Sequence, residues 1–276
     1  FAFIEVGGWS LTMESLRAID PVLLESLGKH GWSTAGFVAA ASFLAIGLPF
    51  LGVPQVLVRF MSIEDESQVT KAGIISVACM LCFTSGAVLI GLAGRVLFPD
   101  LSDPELIMPT LSRELFPPLV TGLLVVVLLA AIMSTVDSLL ILVSSAVTRD
   151  LLQKIVKPNI PDKTLVLIGK ASTFVIGVFA MLIALSESRA IFWLVLFSWS
   201  GLGAAFGPVV LCSLLCKKVT LPGAIAGVLG GFLITVLWVV FFKEHIYNMY
   251  EAIPGFFGGL FLIIGVSLLT QKPAEE

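Results

Sequence analysis

The stretch LVTGLLVVVLLAAIMSTVDSLLILVSSAV, residues 119–147, decides the fold class of this chain. As a helix of about 29 residues rising about 1.5 Å each, it easily crosses a hydrocarbon core of about 30 Å. Ser134, Thr135, Asp137 and Ser138 nevertheless lie near its middle. A carboxylate at that depth costs about 2.5–3.5 kcal/mol by insertion scales, so we expect Asp137 to have a cation or a water-lined path as its partner.

The polar residues of this stretch share one helix face. At about 100° per residue, that face contains Ser134, Asp137, Ser138, Ser145 and Thr148. Hydroxyl and carbonyl oxygens suit a hard cation such as sodium. The alternative is that the hydroxyls only bond backbone carbonyls or neighbouring helices, and the pattern by itself is compatible with both.

The composition excludes a soluble domain. Hydrophobic residues make up 58% of the 276 residues and charged residues 13%, against about 25% charged residues in soluble domains. The mean hydropathy is +1.06. These values indicate an all-α polytopic membrane protein whose partner is a lipid bilayer. The sequence has no basic cluster of the kind that binds nucleic acid.

Hydropathy predicts seven membrane spans. They cover 31–58, 71–97, 117–148, 164–186, 190–216, 220–242 and 251–270. Residues 1–7 look like the tail of an eighth span, and no signal-peptide pattern is present. We therefore interpret residues 1–276 as a single transmembrane domain that is incomplete at its N-terminus.

Basic residues in the loops predict the orientation. The more basic side contains Arg59, Lys71, Arg149, Lys154, Lys157, Lys163, Lys170, Lys217, Lys218 and Lys272. The other side contains Arg17, Lys29, Arg95, Arg113, Arg189 and Lys243. The first side is expected to be cytoplasmic, which puts the C-terminus inside a bacterial-type inner (cytoplasmic) membrane.

Two spans contain helix-breaking or small residues. The segment GLPFLGVP, residues 47–54, should interrupt the backbone hydrogen-bond ladder, with Pro54 opening a second half-helix. Such breaks at membrane depth form binding sites in secondary transporters, although a simple proline kink is the alternative. The segment WSGLGAAFGPVV, residues 199–210, suits either a hinge or close helix packing.

Several stretches, in order and compatibly spaced over nearly the whole chain, resemble the sodium:solute symporter family, and most closely its sodium/proline branch. They are GVPQVLVRFMSI (52–63), AAIMSTVDSLLILVSSAVTRDLL (130–152), SWSGLGAAFGPVVL (198–211), SLLCKKVTLPGAIAGVLGG (213–231) and YEAIPGFFGGL (250–260). The resemblance implies a leucine-transporter-like inverted-repeat fold, of which this chain holds the second repeat plus outer helices.

The resemblance also implies a site for Na⁺, the coupling ion. Its ligands would be the Ala131 carbonyl and the hydroxyls of Ser134 and Thr135. A second sodium bound by some members would fall at Ser134, Asp137 and Ser138. An aspartate at 137 makes that second ion doubtful, because the carboxylate could instead be protonated, salt-bridged or proton-coupled.

The same resemblance implies a substrate site on the interrupted span. Proline transporters of the family carry Trp and Tyr at the positions of Ile46 and Phe50, while Pro54 is retained. The resemblance implies a small organic solute as substrate, with proline or another amino acid as the best candidate, and the changed residues at 46 and 50 argue against a firm assignment to proline.

These features predict a sodium-coupled symporter rather than an enzyme. A symporter-like membrane sensor without net transport is the main alternative. An intramembrane enzyme is disfavoured because Asp137 has no His or Cys beside it in the sequence. A channel fits the predicted broken helix less well than a carrier does.

Overall fold

The computed structural model describes residues 2–25, 27–185, 191–216 and 218–271. Within these ranges the regular structure is entirely helical. The α-helices are α1 (Ala2–Val6), α2 (Trp9–Ile19), α3 (Thr34–Leu44), α4 (Pro54–Met61), α5 (Glu66–Leu97), α6 (Ile107–Leu115), α7 (Pro118–Ser145), α8 (Asp162–Leu185), α9 (Ile191–Leu215), α10 (Leu221–Leu237) and α11 (Ala252–Thr270). The predicted span limits at 186 and 190, together with Arg189, Lys217, Lys272 and the C-terminal residue, lie outside the described residues.

Shorter helical turns join or extend several of these helices. The 3₁₀ segments are Pro21–Leu24, Gly28–His30, Ala45–Leu51, Pro104–Leu106 and Lys243–His245, and the π-helical segments are Ala146–Val156 and Trp238–Phe242. Each π segment continues an α-helix, so α7 and α10 run longer than their α-helical parts alone.

Within the residues that the structure describes, seven helical segments are long and apolar enough to cross a membrane. They are Thr34–Leu51, Glu66–Leu97, Pro118–Val156, Asp162–Leu185, Trp193–Leu215, Leu221–His245 and Ala252–Thr270. The expectation of an all-α polytopic membrane protein is therefore confirmed. The first candidate ends at Leu51, seven residues before the predicted limit at 58, because the helix is interrupted there.

The long helices expose apolar side chains rather than burying them. The most apolar windows of α5, α7 and α8 contain no buried residue. Large side chains such as Phe83, Leu123 and Phe174 are exposed. Leaving such surface in water costs about 25 cal/mol per Å², so these faces are suited to lipid or to further protein and not to solvent.

The described chain divides into two compact units. The first contains residues 1–12 and 82–189, and the second contains residues 13–81 and 190–276.

In the first unit, α7 and its π-helical extension pack against α8. The Ser144 hydroxyl, in α7, donates to the Gly169 carbonyl of α8 at 2.8 Å. Thr148 is buried, and its hydroxyl donates to the Ser144 carbonyl at 2.7 Å. The end of the predicted polar face that contains Thr148 therefore serves helix packing, as the packing alternative predicts.

In the second unit, α10 and α11 meet through glycine. Gly223, Gly227 and Gly231 recur every four residues and are buried on one face of α10. This small-xxx-small spacing lets helix backbones approach closely. A Cβ atom at Gly227 would overlap the Ile263 side chain, and one at Gly255 would overlap the Thr235 hydroxyl.

Candidate functional site

The interruption predicted at residues 47–54 is present. Helix α3 ends at Leu44 and continues as a 3₁₀ segment, Ala45–Leu51, with Pro49 inside it. Gly52 and Val53 connect the two helical segments, and Pro54 is the first residue of α4. Proline lacks the N–H that an α-helix needs and fits best at a helix start, so the sequence itself enforces this break.

The interrupted segment is seated against α9. Pro49 and Val53 are buried. A Cβ atom at Gly203 would overlap Pro49 Cα, and one at Gly52 would overlap the Gly207 amide nitrogen. Because α9 runs unbroken through Pro208, its small residues serve close backbone packing in this structure, which favours that interpretation over a hinge.

The three residues predicted for the substrate site lie along this segment. Ile46 packs against a buried cluster that includes Tyr250. The ring of Phe50 meets the indole of Trp199 edge to face, with centroids 4.8 Å apart and planes at 76°. Pro54 opens α4. The segment thus combines irregular backbone with an aromatic pair, which is a surface suited to an apolar or partly apolar solute.

The predicted sodium ligands lie in the middle of α7, in the first unit. The Thr135 hydroxyl donates to the Ala131 carbonyl at 3.2 Å, and the Ser138 hydroxyl donates to the Ser134 carbonyl at 2.9 Å. All four residues, and Asp137 with them, are exposed within this chain. These intrahelical bonds are the ones that the packing alternative predicts.

The geometry of Ala131 and Thr135 also fits a cation. Oxygen ligands lie about 2.3–2.6 Å from a cation such as Ca²⁺, so neighbouring ligands in a six-coordinate shell lie about 3.2–3.7 Å apart. The 3.2 Å separation of the Ala131 and Thr135 oxygens falls in that range. A hydroxyl that donates keeps its oxygen lone pairs, so the same groups retain acceptor capacity toward an ion.

Asp137 stands on the same exposed surface of α7. In the described part of the chain, the ion pairs join Arg113 with Glu114, Lys154 with Asp150, and Lys243 with Glu251. None of them includes Asp137. Its expected cation or water-lined path therefore stays a prediction.

The comparison with known families matches residues 1–231, most of the chain, to the sodium:solute symporter family. The chain belongs to this family. It is a family of transporters, so the expectation that the chain is not an enzyme is confirmed.

Curated relatives of this family member are proline transporters. The osmoregulated proline transporter OpuE of Bacillus subtilis is 37% identical over 99% of this chain and 56% of its own length. The high-affinity proline transporter PutP of Bacillus subtilis is 36% identical, over 99% and 57%. A sodium/proline symporter of Staphylococcus aureus is 35% identical, over 99% and 54%.

This family member therefore spans about half the length of the curated relatives it matches. No solved structure gives a significant match to it.

Sequence reasoning missed three polar or aromatic partners in the second unit. Trp199 faces Phe50, and the Lys243 ammonium lies 2.8 Å from the buried carboxylate of Glu251. Ser200 donates to the same carboxylate at 3.3 Å. The segment quoted for the resemblance at 250–260 contains Glu251, but no spacing rule connects a glutamate there to Lys243 or Ser200.

Proposed function

We propose that this chain forms part of a sodium-coupled symporter that imports a small organic solute by alternating access. The observation that carries the proposal is the interrupted helix at Ala45–Val53, seated on α9. Irregular backbone at membrane depth is tolerated where protein or a water-filled cavity satisfies it, and carriers use it for binding. Membership of the symporter family supports the same conclusion.

Sodium is proposed to bind at the middle of α7. The Ala131 carbonyl and the Ser134 and Thr135 hydroxyls are the proposed ligands. Asp137 and Ser138 are the candidates for a second ion or for proton coupling. A sodium ion that binds one conformational state more tightly shifts the protein toward that state. If the same state also binds the solute more tightly, sodium raises the affinity for the solute by linkage.

The solute is proposed to contact the interrupted segment through Ile46, Phe50 and Pro54. An amino acid is the best candidate, since the curated relatives are named as proline transporters. The aliphatic Ile46 and the aromatic Phe50 favour a solute with an apolar part. Proline itself is the first compound to test.

The proposed architecture is the leucine-transporter-like inverted repeat, with this chain supplying the second repeat and outer helices of one transmembrane domain. The more basic flanks are proposed to be cytoplasmic, in a bacterial inner membrane. Cysteine labelling from either side of intact cells tests the orientation, since a thiol at Lys154 should react only after the membrane is permeabilised.

Transport itself is tested by uptake into vesicles containing the full-length protein. An inward sodium gradient should drive accumulation of labelled L-proline or another amino acid from a small panel, and an equal potassium gradient should not. Ligand binding without accumulation under any gradient would contradict the symporter proposal and favour the membrane sensor.

A further inference from the structure

The second unit contains a cavity of about 540 Å³ beside the interrupted segment. Its walls come from the turn at Gly28–His30, from α3, from α9 and from the connection between α10 and α11. Basic and aromatic groups dominate the lining, which includes Lys29, His30, Lys243, Trp193, Tyr250 and Ile46. Ile46 is also one of the proposed solute contacts, so the cavity adjoins the proposed solute site.

Two cationic side chains line this cavity. They are Lys29 and Lys243, and no Asp or Glu is among the described residues that form it. Two ammonium groups are therefore available to a ligand in this space. Cations in a partly enclosed site attract an anion more strongly than cations in open water do, because the local dielectric constant is lower.

The Lys243 side chain is held in place by a buried carboxylate. Its ammonium donates to Glu251 Oε2 at 2.8 Å, and the side chains of Lys243 and Glu251 are 25% and 2% exposed. The other carboxylate oxygen of Glu251 lies 3.3 Å from the Ser200 hydroxyl, which also donates to the Phe197 carbonyl at 2.7 Å. An ammonium has three donors, so Lys243 can keep this bond and still donate to a ligand.

Two aromatic side chains line the cavity together with Lys243. Lys243 Nζ lies 5.9 Å from the centre of the Trp193 ring, within cation–π range. The Tyr250 hydroxyl donates to the Leu196 carbonyl at 3.1 Å, and burial raises the pKa of Tyr250, which keeps that donor protonated. The charged end of the cavity is thus fixed before any ligand arrives, which lowers the entropy cost of binding.

The rim of the cavity is a strained turn. Tyr247 and Asn248 both line the space, and their φ angles are +48° and +54°. Two consecutive residues other than glycine in this region are unfavourable unless neighbouring structure holds them. The backbone N–H of Asn248 donates to the backbone carbonyl of Lys243 at 3.0 Å. This bond connects the turn to the residue that carries the charge.

We infer that this cavity binds the carboxylate of a small amino acid, with the Lys243 ammonium as the contact and the aromatic and aliphatic walls receiving the rest of the solute. The inference rests on the proposed function, since it gives the solute a carboxylate and a binding position beside Ile46. A space of about 540 Å³ accommodates such a solute.

Thiol protection tests the site without requiring transport. The experiment uses the full-length protein with all of its cysteines replaced by Ser. In this chain they are Cys79, Cys82, Cys212 and Cys216. Ala39, which lines the cavity, is replaced by Cys. A negatively charged methanethiosulfonate reagent should label the thiol introduced by Ala39→Cys at least fivefold faster than a positively charged one of similar size, once each rate is divided by the rate of that reagent with a free thiol in solution. L-Proline should slow the labelling at least fivefold, and L-prolinamide, which lacks the carboxylate, should not.

Variants then assign the contact. The double replacement K243M with E251Q removes the Lys243 ammonium without leaving a buried carboxylate unpaired, and should raise the L-proline concentration for half-protection at least tenfold. Lys243→Arg keeps the charge and should stay within threefold of the parent. Lys154→Met is the matched control, because it removes a cation of the first unit. It should leave the L-proline concentration for half-protection unchanged. If the double variant is not monodisperse, the comparison of L-proline with L-prolinamide on the parent still decides the question.

Three outcomes would overturn the inference. One is equal protection by L-proline and L-prolinamide. Another is no protection by any of L-proline, L-leucine and L-glutamate. The third is slow labelling that requires phosphatidylglycerol and disappears in phosphatidylcholine vesicles, which would make a lipid headgroup the occupant. Loss of protection with intact sodium-driven uptake contradicts only this inference, whereas protection without uptake contradicts only the proposed function.

Discussion

Gly203 of α9 lies so close to Pro49 that a methyl group at position 203 would overlap the Pro49 Cα atom. The interrupted segment is therefore positioned by backbone contact with α9, without an intervening side chain. The same holds one turn later, where Gly52 approaches the Gly207 amide.

This contact predicts the effect of adding one methyl group. Gly203→Ala should destabilise the protein by about 1–3 kcal/mol, the usual cost of overpacking. Gly201→Ala is the control on the same helix, since its Cβ would meet only the Phe232 ring at 3.4 Å. Thermal unfolding in detergent, followed by size-exclusion of the surviving fraction, measures both. Equal stability of the two variants would show that the packing can relax.

The buried ion pair predicts a large difference between single and double variants. Lys243→Met leaves the Glu251 carboxylate buried alone and should cost about 3–5 kcal/mol, whereas the double variant with E251Q should recover most of that loss. Lys154→Met breaks an exposed pair with Asp150 at 2.7 Å and should cost only about 0.3–0.5 kcal/mol. Thermal unfolding measures all three variants. A cost for Lys243→Met as small as that of Lys154→Met would show that Glu251 does not need its partner.

The proposed sodium ligands predict a change in ion dependence. Replacing Ser134 and Thr135 together by Ala removes two oxygens, at about 0.5–1.5 kcal/mol each. Half-maximal uptake should then require about tenfold more sodium, since each 1.4 kcal/mol is about a factor of ten. Initial rates of uptake at varied sodium measure this.

Ser144→Ala is the matched control for that experiment. Its hydroxyl bonds Gly169 across the contact between α7 and α8, so its loss should lower stability by about 1 kcal/mol and leave the sodium dependence unchanged. An unchanged sodium requirement in the Ser134 and Thr135 variant would remove both residues from the ion site.

Asp137 carries a separate prediction about coupling. Asp137→Asn should alter the ion stoichiometry or the pH profile of uptake if the carboxylate takes part in coupling. Asp150→Asn, on the π-helical extension of α7, removes an exposed carboxylate and should alter neither. Flux ratios of sodium to solute, measured between pH 5.5 and pH 8.5 in steps of about 0.5 unit, distinguish the two variants. If Asp137→Asn keeps the wild-type ion stoichiometry and the wild-type pH profile of uptake, the carboxylate is structural and takes no part in coupling.

The aromatic pair beside the interruption predicts coupled effects on solute affinity. Phe50→Leu and Trp199→Leu should each raise the KM for the transported solute. The double variant should raise it by less than the product of the two single effects, because the edge-to-face contact contributes about 0.5–1.5 kcal/mol only when both rings are present. Multiplicative effects would mean that the rings act independently.

Local sequence signals predicted the interruption but not its surroundings. Pro49 and Pro54 act on their own backbone, so their effect can be inferred from position alone. The role of residues 201–208 was undecided because a hinge and a close contact both require small residues. The pairing of Lys243 with Glu251 depends on how two helices are connected, and Lys243 by sequence resembled an ordinary loop cation. For α7, the helix was predictable, whereas the binding of an ion by its oxygens depends on groups that no pattern within α7 specifies.

The glycine contact between α10 and α11 has a mechanical consequence. Sliding between packed helices usually proceeds by side chains that exchange one set of rotamers for another. Where Gly231 of α10 meets Gly255 of α11 and Ala204 of α9, the nearest atoms are all backbone atoms and have no second rotamer to adopt. Helices α10 and α11 should therefore move together as one rigid body in any conformational change. Changes in backbone conformation are then confined to segments whose neighbouring side chains can rearrange.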